Sequence, residues 1–435
     1  MTVVVDKDKD ESVDPVTRAA ARRDFRFMWA GQSISLWGDQ FMVLALPLLA
    51  VNVLHTSVAE ALLLPSAMFF PFLVLGLPAG AIVERLRRRT TMLVASAAQA
   101  VAIGVIWLLA VTHVLVFPVL FGLLLISGSG VVFFQVAYTS YLPSLFTDPD
   151  DLHKGNARLS LSESTSLAGG RAVGGMVVRM LGVLGALAAN ALSFLASVLA
   201  LAVMRHKEPA RAVTKRERGW IRRDVTAGLK FLIKHPQLQP MVLCGTFYLL
   251  FLSMVDASLV LYCNRVLGLN QLWTGVVMGA AAVGYPIGNM LSPRIAKKFG
   301  TARALAGSIT LSVVGMVVSL ALSTPGGMTG AIGLIAGSIV HGIGEGSYIP
   351  TSLTLRHRVT PPELLSRVGA VQRFSMWGSM SLGSLLASGV TALVGLRGAV
   401  WTGALAALIL VPLALLQRGI LAEVRTGVPP KLETA

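Results

Sequence analysis

The chain has 435 residues, of which 54% are hydrophobic and only 13% charged, about half the charged share of a typical soluble domain. Residues 91–111, 186–204, 304–323 and 398–417 contain no Asp, Glu, Lys or Arg, and blocks of about 20 such residues match a bilayer core rather than a globular one. A net charge of +16 would suit a nucleic-acid binder if it were pooled on one surface, which its distribution along the chain argues against.

Taken in order, residues 1–24 are polar, with Lys7, Lys9, Arg18, Arg22 and Arg23 among acids. They lack the apolar stretch and small-residue site of a cleaved signal peptide and are expected to be a disordered cytoplasmic leader. Twelve apolar spans follow, at 27–54, 58–83, 91–111, 115–146, 156–181, 184–204, 239–262, 272–293, 304–323, 328–355, 368–393 and 396–417. Only a few residues part spans 5 and 6, or spans 11 and 12. A linker over 205–238 separates a first half (25–204) from a second (239–418), and 419–435 forms a tail. Within the linker, Ile221, Val225, Leu229 and Leu232 recur at helical spacing beside Arg222, Arg223, Lys230 and Lys234. That pattern predicts a short helix lying in the membrane interface with its apolar face in lipid.

With the N-terminus inside, 32 of the 37 Lys and Arg residues fall on the inner side of the predicted topology. This asymmetry is the positive-inside pattern. It places both termini in the cytoplasm and assigns the basic charge to lipid headgroups. Two cysteines, Cys244 and Cys263, are too few for a disulfide framework or a zinc site, and no metal or cofactor is expected. No His-Glu-x-x-His, Gly-x-Ser-x-Gly or phosphate-binding Gly-x-x-x-x-Gly-Lys-Ser/Thr motif occurs, so neither an enzyme nor an ATP-driven pump is expected.

The halves echo one another. Asp148-Pro-Asp-Asp-Leu after span 4 parallels Pro362-Glu-Leu after span 10. Gly80-Ala-Ile-Val-Glu-Arg-Leu-Arg-Arg-Arg89 after span 2 parallels Gly288-Asn-Met-Leu-Ser-Pro-Arg-Ile-Ala-Lys-Lys298 after span 8. Both offsets are near half the chain, as in carriers built from two parallel six-helix repeats.

The loop after span 2 resembles the G-x-x-x-D-R-x-x-R-R signature of the major facilitator superfamily, matching at Gly80, Arg85, Arg88 and Arg89 with Glu84 in place of Asp. The start of span 1, Asp24-Phe-Arg-Phe-Met-Trp-Ala-Gly-Gln-Ser-Ile-Ser-Leu-Trp-Gly-Asp39, is similar to bacterial macrolide-efflux-like and enterobactin-exporter-like members. Two features depart from the drug–proton antiporters. Span 4 has no arginine, and Gly169-Gly-Arg-Ala-Val-Gly-Gly175 replaces their Gly-Pro signature in span 5. The resemblance implies an all-α membrane protein of twelve helices in two pseudo-symmetric halves. It also implies a multi-pass exporter of the bacterial inner membrane, acting as a monomer. In that fold spans 1, 4, 7 and 10 line a central cavity, 2, 5, 8 and 11 flank it, and 3, 6, 9 and 12 pack outside.

Ionisable groups inside a membrane are costly and therefore functional candidates. Here they are Asp39 in span 1, Glu163 and Arg171 in span 5, Asp256 in span 7, His341 and Glu345 in span 10 and Arg373 in span 11. None falls on a span the resemblance places outside. A carboxyl held away from water can load and release a proton near neutral pH, so Asp39, His341 and Glu345 are expected to couple transport to protons. Asp39 might equally form a static ion pair with Arg171. His341 and Glu345 share one helix face at i, i+4. Arg171, Glu163, Asp256 and Arg373, with the aromatics Tyr138 and Tyr248, are expected to line the substrate cavity, and Arg373 could instead neutralise Glu345. Gly80, Glu84, Arg85, Arg88 and Arg89 are expected to lock the halves in one conformation. Together these residues point to proton-driven export of a small amphipathic antibiotic or metabolite. A siderophore exporter of the same fold and a non-transporting receptor are the alternatives.

Overall fold

A computed structural model of the chain describes residues 15–146, 148–205 and 220–414. Its helices are α1 (Pro15–Asn52), α2 (Val58–Arg85), α3 (Arg88–Val111), α4 (Phe117–Leu145), α5 (Pro149–Val203), α6 (Trp220–Lys234), α7 (Leu238–Leu261), α8 (Gln271–Phe299), α9 (Thr301–Leu322), α10 (Gly327–Val359) and α11 (Pro362–Ala406). No strand occurs among the described residues. Among the described residues, nine helices are long and apolar enough to cross a membrane.

Two of those nine fold back on themselves. Gly182 (φ 73°) interrupts α5 and Gly395 (φ 76°) interrupts α11, a backbone conformation glycine adopts without strain. Before Gly182, the first arm of α5 runs parallel to α1, with Gly169 against Trp37 and Gly174 against Phe41. After it, the second arm runs antiparallel, with Gly38 against Asn190 and Ser193, and Gly31 against Ala200. Around Gly395 the same logic holds, since Gly383 and Gly403 both lie beside residues 250–255 of α7 although 20 residues separate them. These arms are the expected spans 5, 6, 11 and 12. Counting each arm separately raises the nine to eleven among the described residues, and α8, 29 residues long, is a further long helix of the second half.

The rods pack as two halves. The first contains α1 to α5, the second α7 to α11, and they meet mainly where α5 touches α8 and α2 touches α11. Residues 15–24 are a correction to the expected disordered leader, because they are helical as the first turns of α1. The cause is pairing with residues distant in sequence. Arg22 donates to both carboxylate oxygens of Asp151 at 3.0 and 3.1 Å, and the buried Asp24 carboxylate accepts from the Arg205 amide at 2.7 Å. Residues 1–14, 206–219 and 415–435 lie outside the described set, as do the side chains of Ile221 and Arg222 from the expected linker helix. The helix itself is present as α6, but its apolar face is not given wholly to lipid. Leu232 is buried, and Gly228 packs on the Arg367 backbone at the start of α11.

Candidate functional site

The two seams between the halves set the geometry. Along α5 and α8, Gly175 faces Gln271 and Gly275, and Gly279 faces Ala168 and Ala172. A Cβ on Gly275 would come within 2.6 Å of the Arg171 carbonyl, so the backbones approach as closely as glycine permits. Beyond this stretch the same helix faces continue towards the end bearing Arg85–Arg89, Lys297 and Lys298, and there they separate. Leu161 on α5 is 61% exposed, and Val283 and Met290 on α8 are 56% and 70% exposed.

The second seam behaves alike. Ser388 donates to the Ala59 carbonyl at 2.7 Å and Ser381 to that of Ser66 at 3.3 Å, while Trp377 packs on Phe72 with ring centroids 4.8 Å apart. Further along the α2 face, Gly80 has nothing within 4 Å of where a Cβ would be. Both seams are shut at one end and parted at the basic end.

The ionisable groups form separate clusters. Arg171, from the first half, reaches across the α5–α8 seam. Its Nη2 lies 3.6 Å from Asp256 Oδ2 and its Nη1 donates to the Met278 carbonyl at 3.1 Å. The ion pair weighed for Asp39 and Arg171 is therefore corrected: Arg171 pairs with Asp256. Asp39 lies instead beside Asn190, on the second arm of α5. The cause is helix rotation, since Gly38 turns that side of α1 to Asn190 while Gln40 and Phe41 pack on the first arm.

Deeper in the second half, Tyr285 of α8 donates to Glu345 Oε2 at 2.8 Å, and His341 Nε2 lies 3.6 Å from the same oxygen. His341 Nδ1 is 3.0 Å from the Ser312 carbonyl and 2.9 Å from its hydroxyl, which in turn shares a 2.8 Å hydrogen bond with Tyr248. A carbonyl can only accept, so Nδ1 is the donor there, which leaves Nε2 turned towards Glu345. Close packing delivers these partners: Gly342 and Gly346 of α10 lie against the backbone of Ala281 and Tyr285. A cavity of about 50 Å³ joins the two clusters, lined by Arg171, Asp256, Tyr285, Ser338 and His341, with room for a few waters or one small group.

Tyr248, expected on the substrate wall, is instead 3% exposed and enclosed within the second half. Tyr138 stacks on Phe134 at 5.7 Å and is close enough to feel the exposed Glu163 carboxylate. Arg373 is exposed near Arg356, which donates to Gln372 at 2.8 Å. Glu345 is held by Tyr285 and His341, not by Arg373. Of the expected lock, Arg85 is exposed, and the Glu84 side chain lies outside the described residues. Arg89 donates to the Leu201 and Ala202 carbonyls at 3.0 and 2.8 Å, capping the end of α5 within its own half.

Tyr285, Ser312 and Asn190 were not legible as site residues from charge alone. The usable signal was that Asn190, Ser193 and Ser197 share one face of an otherwise apolar span. Cys244 and Cys263 are both buried. Among the described residues no group of three or more His, Cys, Asp or Glu side chains is arranged to hold a metal ion.

Residues 17–426 match the family described as transmembrane secretion effector. No curated protein matches the chain. Among solved structures, a bacterial homologue of the human lysosomal transporter Spinster, inward-facing and unoccupied, superposes with a TM-score of 0.72 at 11% identity, covering 94% of this chain and 98% of that one. An inward-facing bacterial homologue of the iron transporter ferroportin gives 0.68 at 16% identity, over 91% and 98% of the two chains. An outward-facing ferroportin homologue gives 0.59 at 14% identity, over 91% and 99%. At these identities the likeness establishes the shared fold.

Proposed function

Because the chain belongs to the transmembrane secretion effector family of major facilitator transporters, we propose that it exports a small amphipathic compound across the bacterial inner membrane in exchange for protons. The observation that carries this reading is the pairing of two seams shut at one end with ionisable groups gathered beside them. If the basic end faces the cytoplasm, as the positive-inside pattern requires, the structure is the inward-facing state. Its better superposition on inward-facing than outward-facing transporters supports the same reading.

In this cycle the cargo enters from the cytoplasm between the parted faces of α5 and α8, and of α2 and α11. Asp39 and the His341–Glu345 pair take up protons when the halves rock to face outward, and give them up inside. His341 Nε2 and Glu345 Oε2, 3.6 Å apart, place two proton-accepting groups side by side for that exchange. One inward elementary charge contributes ~2.3 kcal/mol per 100 mV, so at that potential one proton sustains roughly a fiftyfold gradient of a neutral cargo and two sustain roughly a thousandfold or more. Arg171 and Asp256 bridge the halves near the shut end, while Glu163 and Arg373 line the open mouth. Both termini lie inside, and the monomer is the working unit.

The test is Asp39→Asn expressed in cells stripped of other exporters, with a panel of antibiotics and siderophores. The wild-type protein should lower accumulation of at least one compound in a protonophore-sensitive way. The variant should accumulate it like cells without the transporter, while purifying with an unchanged melting temperature. Protonophore-sensitive export that survives in Asp39→Asn removes Asp39 from the coupling role. A non-transporting receptor would give no difference in accumulation at all.

A further inference from the structure

We propose that the cavity beside Arg171 is the subsite for the anionic group of the cargo, so that the preferred compounds are amphipathic acids. This deepens the exporter reading and rests on it.

The case begins with unfilled donors. A guanidinium offers five N–H donors in a fixed planar fork. Here Nη1 makes one 3.1 Å hydrogen bond to the Met278 carbonyl, and the nearest approach of Nη2 to Asp256 is 3.6 Å, beyond hydrogen-bond reach. Nε is buried and donates to nothing among the described residues. Of the other polar groups around the same space, Tyr285 is committed to Glu345, His341 Nδ1 to Ser312 and the Ser319 hydroxyl to the Met316 carbonyl at 2.7 Å, while the Ser338 hydroxyl is a further donor on the lining. What the cavity lacks is therefore an acceptor opposite Arg171.

Size and charge narrow the ligand. A space of about 50 Å³ takes a carboxylate or a group of that size, not a whole drug-sized molecule. Leu252, Val255 and Met278 supply apolar walls around it, suiting an amphipath whose acidic end docks here while its body stays between the halves. Asp256, 35% exposed at its side chain, neutralises Arg171 while the subsite is empty. An incoming carboxylate can take the Nε–Nη2 edge of the guanidinium in the bidentate geometry that Asp256 does not reach, displacing Asp256 towards its exposed side. A cationic amphipath finds no comparable vacancy, because Glu345 is already held by Tyr285 and His341.

The decisive experiment is equilibrium binding by titration calorimetry to the full-length protein in nanodiscs, without any ion gradient. The probes are a panel of aromatic and aliphatic amphipathic acids, each paired with its primary amide. At least one acid should bind about tenfold or more tightly than its amide, the scale of a charge-assisted hydrogen-bonded pair. Arg171→Gln should erase that preference, Arg171→Lys should keep part of it, and Asp256→Asn should raise acid affinity severalfold without changing amide affinity. If no acid outbinds its amide, or if Asp256→Asn weakens acid and amide alike, the pair is only a structural bridge and the proposal is overturned. Should Arg171→Gln fail to fold, Asp256→Asn and Arg171→Lys decide alone. Because no gradient is present, loss of proton-driven export with acid preference intact would sink the exchange mechanism and leave this assignment standing.

Discussion

Glu345 is held by one phenol and one imidazole, and the phenol comes from a helix that carries no charge near it in sequence. Tyr285→Phe removes the 2.8 Å hydrogen bond and leaves a largely enclosed carboxylate short of a donor, which costs about 1–3 kcal/mol. The melting temperature of the purified protein should fall by several degrees, and Glu345→Gln in the same background should recover most of the loss. A Tyr285→Phe protein as stable as wild type would mean that the phenol does not hold Glu345. At this scale the sequence was informative about which residues are costly and silent about whom they meet. Asp39, Arg171, Asp256, His341 and Glu345 stand out because charge in lipid is rare, and His341 and Glu345 pair as their i, i+4 spacing requires. Arg171 meets Asp256 because of how α5 is rotated about its axis, and no local pattern reports that rotation.

Among elements, the α5–α8 seam and the linker helix carry the most consequence. Gly275→Leu would drive a side chain into the Arg171 backbone and wedge the shut end apart. Spin labels at Leu161 and Met290, both on the exposed continuation of that seam, should then report a shorter separation across the basic end than in wild type. An unchanged separation would mean the two ends of the seam do not trade places.

The linker offers a pH test outside the membrane. His235 stacks on Phe231 at 5.4 Å, and its Nδ1 accepts from the Gln237 amide at 3.3 Å, at the start of α7. Burial holds its pKa below the ordinary value, so folding favours the neutral ring. The stabilisation is complete above about pH 6.5 and is lost as pH falls from there through the lowered value. A nitroxide at Leu229 should become more mobile on acidification in wild type. It should not in His235→Asn, whose amide oxygen can accept the same hydrogen bond without titrating. These elements were mostly visible beforehand, since apolar length marks the rods and the short gaps between spans 5 and 6 and between spans 11 and 12 mark the two reversals. The helical start of α1 was not, because Arg22 and Asp24 are ordered by Asp151 and Arg205, partners more than 120 residues away.

For the molecule as a whole, two halves of six rods followed from blocks of lipid-compatible residues, from a repeat at half the chain length and from basic residues confined to one side. The opening at the basic end did not follow from any of these, because both ends of each seam carry similar apolar faces and only packing distinguishes them. The central claim is that this scaffold moves cargo one way and protons the other. It is tested most directly by reconstituting the purified protein into proteoliposomes with a pH-sensitive dye trapped inside, at zero membrane potential, and adding a cargo gradient from a compound the cells export. The account predicts proton movement opposite to the cargo, and none with Asp39→Asn. Cargo flux with no accompanying change in internal pH would contradict it.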